Sequence, residues 1–149
     1  MTDMKLSYGI FLEEETVYEL LPKLLAKMSL LEKKAIYAGF FYDPTHPAVE
    51  AVDSDNPEFM VTDFGEMELM DVLVAYVRDN YSYLYCSPFQ DDERAAVTLN
   101  NTLQWIQEYG EFSPEKFNNI PDEEKAEMDK FIADLGLSLK PQPIIWSQY

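Results

Sequence analysis

The sequence predicts an α+β fold, a single domain over residues 1–149 with four to five helices packed with a small, mostly antiparallel sheet. Three observations predict it. Short period-two segments stand beside amphipathic segments of helical period. They do not follow the regular βαβ alternation of a parallel sheet. A chain of 149 residues suits one core that buries roughly 68–70% of the unfolded surface. Hydrophobic residues make up 47% and aromatics 14%, so the net charge of −17 sits on an ordered globule. No low-complexity tract or fixed-period repeat points to a solenoid.

The elements follow in order. Lys5 to Leu12 sets Leu6, Tyr8, Ile10 and Leu12 against Ser7, Gly9 and Phe11, the alternation of a first strand. Glu13, Glu14 and Glu15 suit the positive end of a helix whose inner face is Val17, Leu20, Leu21, Leu24, Leu25 and Met28. Pro22 predicts a kink, or two short helices meeting there. Ser29 and Glu32 have capping-box spacing, so another helix begins at Leu30 and gives way to extended chain by Phe41. Asp43 to Pro57 is rich in Pro, Asp, Ser, Thr and Asn and reads as a surface loop.

Glu58 to Phe64 has the pattern of a short strand, and Gly65 punctuates it. Glu66 to Asn80 is a clear amphipathic helix with Leu69, Val72, Leu73, Tyr76 and Val77 on one face. Tyr81 to Ser87 reads as an aromatic strand that Pro88 terminates. Asp91, Asp92 and Glu93 predict a helix start, with Ala95, Leu99, Leu103 and Ile106 inward and Gly110 as its stop. Ser113-Pro114-Glu115 opens a brief helical turn through Phe117. The last helix starts at Pro121 and Asp122, carries Met128, Phe131, Ile132 and Leu135 inward, and ends at Gly136. Pro141 and Pro143 keep the tail extended, with Ile144, Ile145 and Trp146 as an edge strand.

Composition removes several classes of function. The single cysteine, Cys86, excludes an internal disulfide and points to a reducing, cytoplasmic location. The N-terminal residues lack the pattern of a signal peptide, and no apolar run reaches the ~18 residues of a membrane span. Negative charge disfavours direct binding to nucleic acid or to anionic lipid. With neither a G-x-G-x-x-G nor a P-loop, nucleotide binding is disfavoured and no cofactor is expected. His46 is the only histidine, which argues against zinc. Asp53 to Glu58 superficially resembles a calcium loop, but Glu58 occupies the glycine position and Phe64 the place of the bidentate glutamate.

Cys86 with His46 is the one thiol–imidazole pairing available for nucleophilic catalysis, the basis of an alternative reading as a small Cys-dependent enzyme. Its apolar, aromatic surroundings favour inert packing instead. Tyr81, Tyr83 and Tyr85 share one face of the predicted strand, either as a core layer or as a recognition surface. That strand or the Ile144–Trp146 tail supports a third reading, a self-associating scaffold.

Charge carries the main expectation. The 43 residues from Ala35 to Val77 contain nine carboxylates and neither lysine nor arginine. From Ala35 through Glu115 sixteen acids face Arg78 and Arg94 alone, a balance of −14. Carboxylates three or four apart on a helix lie ~5–6 Å from one another, near the ~7 Å between phosphates of an extended strand. This pattern predicts a small acidic binding or inhibitor protein that occupies a basic, nucleic-acid-binding surface of a partner protein in the manner of a DNA mimic. Phage-encoded anti-defence inhibitors and immunity proteins against nuclease toxins work by this physics. The expected contact residues are Asp53, Asp55, Glu58, Glu66, Glu68 and Asp71. The plain alternative is that acidity confers solubility alone.

Overall fold

The computed structural model describes residues 3–50, 66–87, 94–106 and 115–148. The chain divides into two compact units, one of Glu14–Tyr76 and one of Met1–Glu13 with Val77–Tyr149. Among the described residues the architecture is mixed α+β, with a five-stranded antiparallel sheet. Its helices of three turns or more number four, not four to five, and two further helices are single turns of 4 residues.

The helical unit opens with α1, Glu14–Ala26, whose acidic first turn complements the dipole and whose Val17, Leu20, Leu21, Leu24 and Leu25 are buried. It runs through Pro22 as one helix, so the expected division into two does not occur. Pro22 is exposed, on the side where a carbonyl that loses its amide partner can tilt to water. Helix α2, Leu30–Phe41, is capped by Ser29, whose Oγ accepts from the Glu32 N–H at 3.1 Å. It continues through Phe41, where extended chain was expected. Tyr42 then turns into the left-handed region at φ 54°. The Tyr42 N–H donates to Gly39 O and the Asp43 N–H to Ala38 O, which closes the last carbonyls of the helix. The single turn α3, Pro47–Glu50, follows. The predicted strand Glu58–Phe64 and the end of the predicted loop lie outside the described residues. Helix α4, Glu66–Asn80, matches the expected span and buries Val72, Leu73, Ala75 and Tyr76, with Val77 buried beyond the unit boundary.

The second unit is organised on β1, Asp3–Glu13. Along one edge it pairs with β3, Arg94–Leu99, through Gly9 to Glu13, and with β4, Gln104–Ile106, through Met4 to Leu6. Strand β5, Gln142–Gln148, pairs with Asp3 to Gly9 on the other edge, and β2, Leu84–Ser87, pairs with β3. Between β3 and β4 the 3-10 turn Asn100–Thr102 shifts the register on β1 by three residues. The Tyr8 N–H, left without a ladder partner there, donates to Thr102 Oγ1 at 2.9 Å, and that hydroxyl donates to Leu99 O at 2.7 Å.

This corrects the helix expected over Asp91–Gly110. A spacing of four, as in Ala95 and Leu99, puts side chains on one face of a strand as well as of a helix. Both faces of β3 are buried: Ala95, Val97 and Leu99 on one side, Ala96 and Thr98 on the other. A strand enclosed on both sides loses the alternation that identifies it. Ala96, Ile144 and Trp146 form a second buried cluster, with Phe11 and Leu103 packed against it. A Cβ at Gly9 would stand 2.2 Å from Val97 O, so only glycine fits that position. Lys5 lies opposite both Trp105 and Trp146, with Nζ 4.3 and 4.8 Å from the two ring centroids. The Trp146 Nε1–H donates to Ser7 Oγ at 2.7 Å.

The single turn α5, Glu115–Asn118, and helix α6, Asp122–Asp134, occupy the expected positions. Met128, Phe131 and Leu135 are buried, and Gly136 at φ 65° allows the Leu137 N–H to return to Ile132 O at 2.9 Å.

Candidate functional site

The residues expected to meet a partner divide into two sets. Asp53, Asp55 and Glu58 lie outside the described residues, as does the whole calcium-like segment. Glu66 and Glu68 belong to the first turn of α4 and Asp71 to the next. Three acidic residues of a base-free segment thus fall within two turns of one helix. Asp71 is exposed. Asp43, earlier in the same segment, closes its own loop by accepting from the Thr45 Oγ1–H at 2.7 Å and the Thr45 N–H at 2.9 Å. The Thr45 hydroxyl and amide hold its carboxyl below the usual aspartate value.

Helix α6 treats its acids differently, and sequence reasoning missed this. Glu127 accepts from the Ser82 N–H at 2.7 Å and the Tyr83 N–H at 2.6 Å. Asp134 Oδ2 accepts from the Tyr81 hydroxyl at 2.7 Å, and the Tyr81 ring meets Phe131 edge-on at 5.3 Å. Glu124, only 3% exposed, accepts from Asn101 Nδ2. Three of the six α6 carboxylates thus fasten the α4–β2 connection and the 3-10 turn. One signal was present in the sequence: Glu124 stands one turn before Met128, on the line of the inner stripe.

The thiol of Cys86 is 5% exposed in β2, and burial pushes its pKa up to about 12. As folded it is a poor nucleophile, because the thiolate is the reactive form. His46 belongs to the other unit, half-buried, with its backbone N–H donating to Asp43 O at 3.2 Å. Among the described residues no group of three or more His, Cys, Asp or Glu is placed to hold a metal ion. Nor is any helix there long and apolar enough to cross a membrane.

The three tyrosines do not share a strand face, since β2 begins at Leu84. Tyr81 is buried, Tyr83 half-buried, and Tyr85 is 39% exposed and stacked on Trp146 at 6.5 Å. Ile144 and Trp146 are buried within their own chain, leaving Ile145 exposed. Comparison with protein-family models, with curated proteins and with solved structures finds no match to this chain.

Proposed function

We propose that the protein is a small acidic binding or inhibitor protein that covers a basic, nucleic-acid-binding surface on a partner protein as a DNA mimic. The settings that fit are a phage-encoded anti-defence inhibitor and an immunity protein against a nuclease toxin. One observation carries the reading: nine carboxylates and no lysine or arginine between Ala35 and Val77, including three within two turns of α4. Concentrated charge of one sign accelerates encounter with a basic cleft and acts over about 8 Å at physiological salt. The buried, protonated Cys86 thiol lends no support to a Cys-dependent reaction.

The test is capture of partner proteins from a lysate at low and at high salt, with wild type and with the triple variant Glu66→Lys, Glu68→Lys, Asp71→Lys. The reading expects basic, nucleic-acid-binding proteins that elute as salt rises and bind the triple variant at least about a hundredfold more weakly. Salt-insensitive capture, or capture unchanged by the triple reversal, refutes it.

A further inference from the structure

In the sheet unit, Asn101, Thr102, Glu115, Asn119, Ile120, Pro121 and Glu124 line a cleft of about 490 Å³. That volume is within the usual range for a ligand pocket. Its lining is unusual in one respect. Glu124 is 97% buried, and among the described residues its only partner is the neutral carboxamide of Asn101, which engages Oε1. The second oxygen, Oε2, has no hydrogen-bond partner among the described residues and is not sealed from solvent. A carboxylate with so little access to water gains more from a matching charge than one on an open surface. The fold keeps it there, at the wall of an open cleft.

The other lining groups fit the same kind of visitor. Glu115 is exposed and adds a second carboxylate at the rim. Asn101 spends a side-chain N–H on Glu124, which leaves its carbonyl oxygen as an acceptor, and Asn119 supplies another. Thr102 is already committed, accepting from Tyr8 and donating to Leu99, so it adds no donor. Ile120 and Pro121 form an apolar wall. Acceptors of negative charge beside a flat apolar surface suit a planar cation with several N–H donors better than a compact ammonium.

Resting on the reading of a basic partner, we propose that this cleft receives the guanidinium group of an arginine side chain on that partner. Glu124 Oε2 accepts from one edge of the guanidinium, Glu115 closes over the other, and the aliphatic stem lies along Ile120 and Pro121.

The probe is N-acetyl-arginine amide, titrated into the full chain and followed by the side-chain amide resonances of Asn101 and Asn119. The lysine and citrulline analogues serve as the ammonium and neutral controls. The expected result is a saturable shift at both asparagines, with a dissociation constant on the order of 1 mM. Lysine should bind more weakly and citrulline should produce no saturable shift. Glu124→Gln keeps an acceptor for Asn101 and should weaken arginine binding at least about tenfold. The exposed Glu115→Gln should weaken it by about two- to threefold, with no effect on folding to confuse the result.

Equal binding of citrulline or lysine, indifference to Glu124→Gln, or no saturable shift overturns the proposal. Capture from lysate by wild type, set beside the titration, separates the two readings. If capture by wild type fails while the arginine titration succeeds, the partner reading falls and the cleft remains an arginine site. If capture succeeds while the titration fails, the cleft falls alone.

Discussion

Helix α6 holds six carboxylates and two lysines, whereas the segment Ala35–Val77 holds nine carboxylates and neither lysine nor arginine. In α6, Glu124, Glu127 and Asp134 each accept a hydrogen bond from another element of the same unit. In the segment, Asp43 is satisfied within its own loop, and Asp71 projects from an exposed position of α4. Net charge treats all of these alike. The α6 acids are bound by amide and hydroxyl donors 23 to 53 residues away in the chain, and an acceptor in such a bond is part of the structure. Nine acids in one base-free segment also carry a cost in self-repulsion that the mixed charges of α6 reduce.

The largest effect that sharpens this contrast lies at alkaline pH, in the same unit as α6. The Cys86 thiol titrates near 9 when unfolded and is pushed up to about 12 by burial. Between those values the unfolded chain has lost the proton and the folded chain keeps it, so stability falls as pH rises. The slope from this group is about 1.4 kcal/mol per pH unit. Urea denaturation at pH 9, 10 and 11 measures it against Cys86→Ala, in which this component should vanish. An identical slope in both proteins would show that the thiol is not held neutral. Alkylation of native wild type should likewise proceed only as fast as the chain unfolds.

Next in size is Glu127→Ala, which leaves the Ser82 and Tyr83 amides without their charged acceptor. The expected loss is about 2 kcal/mol by urea denaturation, lowered from the sum of two charged bonds because the site is partly exposed. Tyr81→Phe removes one hydroxyl from Asp134 while keeping the ring on Phe131, and should cost about 1 kcal/mol. If both variants are as stable as wild type, α6 does not hold its acids for structural reasons and the contrast fails.

Much of the fold could be read where a single physical signal dominates. Helices α4 and α6 have one buried face and strong periodicity, β1 alternates large apolar residues with small or polar ones although both of its faces are covered, and β5 was marked by prolines that forbid helix. The two helix ends show where such reading stops. Gly136 signals the end of α6 because its left-handed φ of 65° favours glycine. Tyr42 adopts the same region at φ 54° to end α2, and nothing about a tyrosine announces that. Strand β3 was mistaken for a helix because burial on both faces erased its alternation. At the candidate sites, α4 was legible as a carrier of Glu66, Glu68 and Asp71. The inward use of Glu124 and Glu127 was not, since their donors lie 23 to 45 residues away in the chain.

The smallest expected effect is the one on which the partner reading leans hardest. Glu68 is the third residue of α4, where the helix dipole favours a carboxylate by about 0.3–1 kcal/mol. Asp71 is three residues on and exposed, and like charges at that spacing disfavour the helix by about 0.2–0.5 kcal/mol. Neutralising both with Glu68→Gln and Asp71→Asn removes a favourable and an unfavourable contribution of similar size. Stability should therefore change by no more than about 0.5 kcal/mol in either direction, and the change should shrink as salt screens the repulsion. A loss of more than about 1 kcal/mol in urea denaturation would place these carboxylates with Glu127, as acceptors that the fold requires. Groups so engaged cannot also be surrendered to a partner without unfolding part of α4, and the distinction between the two acidic regions would be gone.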